Sequence, residues 1–271
     1  MTTINCKLRR HHDRRHHWGH DNVPVNRPSS DQRENRACGC LLGLAVGDAL
    51  GTTLEFRSRD TYPPLTDMIG GGPFNLALGE WTDDTSMALC LADSLIENGD
   101  LDETDLMRRF VRWWSNGENS ATGWCFDIGG TTSMALGEFA KTGNPRAGSR
   151  DPNTAGNGSL MRLAPVAIRH HCDRARAIDV ARRQSVTTHA APAAVDACAF
   201  FAGLLVDAIS GAERSALLSP RGFVLLSQKV AIRVALESGT GRDSRQHKGL
   251  RWIVVEWMPV DRGLAPMSRD L

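Results

Sequence analysis

The stretch EWTDDTSMALCLADSL, residues 80–95, sets two adjacent carboxylates, Asp83 and Asp84, between a threonine and an apolar run. Exposed N–H groups and the helix dipole favour acidic side chains in a first turn. Thr82 or Asp83 as N-cap with Asp84 behind it therefore needs no ligand. The same carboxylates, with the hydroxyls of Thr82 and Thr85, also make a cluster of hard oxygen donors suited to magnesium or manganese. This stretch alone leaves both readings open.

Three further segments carry groups with chemical potential. Asp48, Thr52 and Glu55 follow i, i+4, i+7 spacing, so a helix would present them as a column of oxygens; the plain alternative is Glu55 in water at a frayed helix end. In AGNGSLMRLAP, Gly156 and Gly158 flank Asn157 and Ser159 follows, a flexible loop that could aim backbone N–H groups at an anion such as phosphate. An ordinary turn with Ser159 as N-cap explains it equally well. His189 closes SVTTH, where it either hydrogen-bonds a phosphate or caps a helix C-terminus. Asp127, Gly129, Gly130, Thr131 and Thr132 precede another apolar segment and read locally as a tight turn and a capped helix.

The elements around these residues are helical. Met87, Leu91 and Leu95 with Ala88, Ala92 and Ile96 repeat at 3.6 residues and predict a core helix ended near Asn98-Gly99. DETDLMRRFVRWW, TTSMALGEFAKTG, LMRLAPVAIRHH, DRARAIDVARRQSVTTH and PAAVDACAFFAGLLVDAISG predict further helices, and residues 143–158 an irregular loop. ACGCLLGLAVGDALGTTLEF reads as a buried helix whose Gly39, Gly43, Gly47 and Gly51 line one stripe, a pattern that lets another backbone approach. No convincing alternating strand precedes residue 220, so the fold class is all-α.

Composition excludes several classes. A formal net charge of +1 selects no nucleic acid, and the apolar run 37–46 is too short to span a bilayer before Asp48 interrupts it. Seven scattered cysteines without a CxxC pair fit neither a disulfide framework nor a zinc knuckle, which predicts a reducing, cytoplasmic setting. Residues 1–36 hold more than half of the nine histidines among many arginines and no apolar periodicity, so a disordered leader is expected. His11, His12, His16 and His17 would share a helical face able to hold a metal, against which the neighbouring arginines repel a cation.

GLAVGDA at 43–49 with Glu55, WTDDTSMAL at 81–89, DIGGTTSMAL at 127–136, GNGSLMRLAP at 156–165 and SVTTH at 185–189 together resemble the ADP-ribosylglycohydrolase family, and DIGGTT its dinitrogenase reductase-activating branch. The resemblance covers about residues 37–220. It implies an orthogonal all-α bundle that hydrolyses the bond joining ADP-ribose to a protein side chain, arginine first, or to a small molecule. It implies two magnesium or manganese ions beside an ADP-ribose cleft, with Thr82, Asp83 and Asp84 as metal ligands and Glu55, Asp83 and Asp84 as catalytic groups. It further implies that Asp127 approaches the substrate ribose, while Gly156, Asn157, Gly158, Ser159, Met161 and His189 line the cleft. The expected partner is an ADP-ribosylated protein or an ADP-ribose-containing small molecule, with no specific nucleic acid and no membrane.

One departure accompanies the resemblance. The family's second metal group is a late Asp-x-Asp run, and residues 221–271 contain none. Three oxygens near residue 83 leave an octahedral cation to be completed by water, which predicts one ion or none instead of two. After Pro220 the tail carries nine Lys or Arg against five Asp or Glu. A divergent tail with one amphipathic helix over 224–238, strand-like composition in WIVVEW and a C-terminally incomplete bundle is the expectation. Impaired hydrolysis, a catalytically dead ADP-ribose or nucleotide binder, or a truncated gene product is the corresponding alternative. A rearrangement that returns Asp243, Asp261 or Asp270 to the cluster is a third.

Overall fold

The computed structural model describes residues 29–58 and 61–218. The histidine pairs before residue 29, the helix expected over 224–238, WIVVEW, and Asp243, Asp261 and Asp270 lie outside the described residues.

The first helix, α1 (Ser30–Gly51), starts six residues before Arg36, which corrects the expectation that residues 1–36 lack order throughout. Its start is written in a capping box: the Ser29 hydroxyl accepts from the Gln32 N–H, and the Gln32 side chain accepts from the Ser29 N–H. Its first turns are mostly exposed and show no apolar period, so only the cap marks them. Arg36 ties this end to the Ala208 carbonyl. The first half of the glycine stripe is a second correction. Among the described residues a Cβ on Gly39 or Gly43 would meet nothing within 4 Å, and Leu42 and Val46 beside them are exposed. Helix α1 buries Leu44, Asp48 and Ala49 instead.

Helix α2 (Asp83–Asn98) buries Met87, Leu91 and Leu95 as its period requires and ends at Gly99 in the left-handed region, φ 73°. Ile96, which the pattern includes, stays 77% exposed in its last turn. Helices α3 (Glu103–Asn116) and α4 (Gly130–Thr142) follow. Helix α5 (Ala164–Arg169) is shorter than LMRLAPVAIRHH predicts, because a longer helix would put the Pro165 ring against the Met161 carbonyl. Helices α6 (Arg174–Thr188) and α7 (Pro192–Ile209) are joined by residues 189–191 and pack on each other, with α8 (Arg214–Leu218) behind. Among the described residues there is no β-strand, only isolated bridges between Gly71 and Leu76 and between Ser149 and His189.

One core joins these helices through Leu91, Phe110, Leu136, Val166, Val180 and Val206. By length and composition α1 and α7 could each span a bilayer, but α7 buries Ala197, Cys198 and Val206 in this core. Glu103, 9% exposed, accepts from Arg146 at 2.6 and 2.9 Å and from Arg183 at 3.0 Å, tying α3 to the 143–150 loop and to α6.

The most unusual core group is Arg162, a fully buried cation whose carbon Cζ lies 4.5 Å from the centre of the Phe110 ring. Phe110→Ala removes both the aromatic volume and this cation–π contact. Equilibrium urea unfolding is expected to show a loss of about 3–5 kcal/mol, and a loss below about 1 kcal/mol would mean that the ring does not support the core as described.

Candidate active site

Four segments bring carboxylates to one place. Asp48 comes from the last turn of α1 and Glu55 from just beyond the short 3-10 turn Thr52–Leu54. Asp83 and Asp84 open α2, and Asp127 lies in the loop before α4.

Asp48 organises the group. Its carboxylate accepts the Thr82 and Thr85 backbone N–H groups at 3.1 and 3.0 Å and both threonine hydroxyls at 2.7 and 2.6 Å. The exposed N–H groups of α2 are thus satisfied by an anion from another helix. Thr82 is the N-cap residue but makes no side-chain cap bond, and Asp83 and Asp84 lie inside the helix. Capping does not explain the acidic pair. The Thr85 hydroxyl, read from sequence as a possible metal oxygen, is committed to Asp48. Thr82 donates to the same carboxylate and keeps lone pairs free for another contact.

The remaining carboxylates crowd together. Burial pushes Asp83 well above the usual range, reinforced by the charges of Asp84, Asp127, Asp48 and Glu55. Burial and then the charge of Asp48 raise Asp84 to about 8, and it is hydrogen-bonded to Asp83. Burial and then the charge of Glu55 raise Asp127 to about 8, and these two also share a hydrogen bond. Glu55 itself is raised by burial, and so is Asp48 despite its four donors. Burial together with like charge at close range makes such acid–acid pairs hold protons. Among the described residues no three acidic, histidine or cysteine side chains already grip a common point. The donor set is nevertheless all hard oxygen, which fits magnesium or manganese in preference to zinc or copper.

Backbone strain marks the rim. Asp127 has φ 57° and Phe56 φ 60°, a left-handed conformation that is costly for a bulky phenylalanine. Phe56 is 78% exposed and meets Phe74 edge-on at 6.2 Å, and Phe74 meets Phe126 at 5.3 Å. An aromatic ridge therefore flanks Glu55 and Asp127. The column of oxygens expected from Asp48 to Glu55 survives although the α-helix stops at Gly51, since Thr52 still donates to Glu55 at 3.5 Å.

The glycine loop and His189 form the second half. A Cβ on Gly158 would lie 2.7 Å from His189 Cε1 and 3.0 Å from Thr132 Oγ1, and one on Gly156 would lie 3.3 Å from His189 Nε2. Glycine lets this loop press on the imidazole and on α4, so the DIGGTT, GNGS and SVTTH segments meet at one point. Among the described residues the backbone N–H groups of Asn157, Gly158 and Ser159 have no hydrogen-bond acceptor. They do not open a helix. Residues 157–162 form turns and α5 begins at Ala164, so Ser159 is not an N-cap. The Ser159 side chain is fully buried against Ser185 Oγ at 2.8 Å and Cys198 Sγ at 3.3 Å, and Met161 packs in the core. Both can face a ligand only through their backbone. His189, 2% exposed, is lowered to about 3 by burial and then by the charge of Arg162.

Arg162 and Thr188 lie within GNGSLMRLAP and SVTTH, but those motifs direct attention to their glycines and histidine instead. The signal available was a lone arginine inside the apolar run LMRLAP, which in a folded chain must find buried acceptors.

These shifts set a pH dependence. A carboxyl raised on folding contributes stability that is present below its unfolded value, about 4, and is lost as pH rises through about 8. His189, lowered on folding, contributes in the opposite sense only below about 6.5. For chelator-treated protein, the melting temperature is expected to fall between about pH 6.5 and pH 8.5. Asp84→Asn should flatten that fall, and a melting temperature rising with pH in this window would contradict the carboxyl pairing.

A sequence model of ADP-ribosylglycohydrolases matches residues 29–258, reaching past residue 220. The chain is 46% identical over 220 residues to the ADP-ribosylarginine hydrolase Tri1 of Pseudomonas putida, covering 81% of this chain and 59% of that protein. It is 43% identical to Tri1 of Serratia proteamaculans, covering 82% and 60%. Identity is 37% to the ADP-ribosyl-[dinitrogen reductase] glycohydrolase of Rhodospirillum rubrum, over 49% and 44%. The chain thus spans about three fifths of the length of its first two curated relatives. A solved structure described as an ADP-ribosylglycohydrolase-related protein complex superposes with TM-score 0.69 at 40% identity, covering 82% of this chain and 73% of that one.

Proposed function

The chain belongs to the ADP-ribosylglycohydrolase family, and on that premise we propose that it hydrolyses the glycosidic bond between ADP-ribose and a protein side chain, arginine first. The observation that carries the proposal is an acidic cluster from α1, α2 and the 127 loop, connected through Thr132 of α4 to a glycine loop backed by His189. The names of the two Tri1 relatives support arginine as the acceptor.

The acidic half suits the chemistry of ribose C1. Breaking its bond to the guanidino nitrogen develops oxocarbenium character, which nearby carboxylates stabilise. Thr82, Asp83 and Asp84 would hold magnesium or manganese, one ion in this reading, which when bound supplies positive charge that orients ribose hydroxyls and acidifies water. Glu55, partly exposed beside Asp127, takes the proton of the attacking water. Asp127 is the residue we assign to hydrogen-bonding the ribose. The free N–H groups of residues 157–159 receive the diphosphate. The scatter of the seven cysteines, with no CxxC pair in the sequence, supports a cytoplasmic setting.

A second reading has its own observation: among the described residues no three acidic, histidine or cysteine side chains gather closely enough to hold a metal. In it the chain binds ADP-ribose without turnover. An ADP-ribosylarginine peptide with manganese or magnesium separates the two. Multiple release of free ADP-ribose per chain, with kcat reduced at least about 100-fold in Asp83→Asn, supports the hydrolase. Tight ADP-ribose binding without release supports the binder, and neither binding nor release would overturn both.

A further inference from the structure

Arg162 is completely buried and forms no salt bridge among the described residues, an arrangement whose desolvation cost demands compensation. Its donors go elsewhere. Nε donates to Gln184 Oε1 at 2.8 Å, and the two Nη2 protons go to the Gln184 carbonyl at 3.0 Å and the Thr188 hydroxyl at 2.9 Å, with the Thr187 hydroxyl a longer, shared contact at 3.3 Å. Thr188 Oγ1 in turn lies 2.9 Å from His189 Nδ1.

Proton counting along this chain gives one satisfied arrangement. A guanidinium only donates, so Thr188 Oγ1 must accept from Arg162. Thr188 is fully buried, and among the described residues the other polar atom within reach of its hydroxyl is His189 Nδ1. If Nδ1 carried the imidazole proton, the Thr188 proton would be left buried without an acceptor, at a cost of about 1–3 kcal/mol. Thr188 therefore donates to Nδ1, and the imidazole proton sits on Nε2. That nitrogen faces Gly156 and Gly158, and among the described residues it has no hydrogen-bond partner.

We propose that Arg162 and Thr188 are positioning residues that lock His189 as the Nε2–H tautomer, so that it presents a neutral donor to an acceptor oxygen of the ligand in the glycine-loop cleft. The ligand half rests on the ADP-ribose reading above; the tautomer half does not. Burial and the Arg162 charge, which hold His189 near 3, are consistent with a ring that stays neutral through the physiological range.

The test uses the full chain labelled with 15N. Long-range 1H–15N spectra report which imidazole nitrogen carries the proton, and the His189 signals are assigned by their loss in His189→Asn. The wild type is expected to show protonated Nε2 from about pH 5 to about pH 8. Thr188→Val, which keeps the shape but not the hydroxyl, is expected to shift the population toward Nδ1–H and to weaken ADP-ribose binding about tenfold or more. Thr188→Ser should retain both properties. Protonated Nδ1 in the wild type, a measurement that needs no variant, would overturn the proposal, as would Thr188→Val with the wild-type tautomer. If the tautomer responds as expected but Thr188→Val binds ADP-ribose like the wild type, the ligand half is overturned. Failure of the wild type itself to bind ADP-ribose, with protonated Nε2 observed, sinks the cleft reading and leaves the relay supported.

Discussion

The carboxylate of Asp48 at the start of α2 is the contact on which the rest of the acidic half depends. It joins two helices by four hydrogen bonds and neutralises the positive end of α2 from outside that helix. Because this work is done by a residue 34 positions away, Asp83 and Asp84 are released from capping. A helix that capped itself with its own aspartates would have no carboxylates to turn toward a substrate. The same contact fixes the end of α1, and through it the place of Glu55.

The two halves of the cleft handle charge in opposite ways. On one side carboxylates repel each other and retain protons; on the other a buried arginine sits under a neutral histidine. Arg162 touches both α2, through Met87 Sδ at 3.9 Å, and α6, through Gln184, Thr187 and Thr188. Its charge is also felt by Asp83 across the interior. Under the proposed function, the ribose of the ligand would meet the acidic half and its diphosphate the half with the glycine loop.

Much of this was legible in the sequence because it is local. The period of Met87, Leu91 and Leu95, the Gly99 stop and the acidic pair are all read within one helix. Two groupings were visible too: Glu55, Asp83, Asp84 and Asp127 lie close enough to feel one another's charge, and Gly156 and Gly158 lie against His189. What was not legible depends on tertiary partners. Asp48 looks like a column residue until α2 is placed against it. Ser159 looks like an N-cap until Pro165 delays the helix to Ala164. The glycine stripe suggests contact, yet α1 turns Leu44, Asp48 and Ala49 inward and leaves Gly39 and Gly43 open. Exposed first turns carry no periodicity, so the start of α1 rested on a capping box that a hydropathy reading passes over.

His189 is held between glycines on two sides. Gly156 and Gly158 lie against its ring, and Gly148 lies against its backbone, where a Cβ would come within 2.7 Å of His189 N. With Ser185 donating to its carbonyl and Thr188 at Nδ1, both ring and backbone are tied. The rotamer entropy of this side chain is surrendered when the protein folds. Under the proposed function, a guest at this imidazole would meet a partner whose ordering cost was already met during folding.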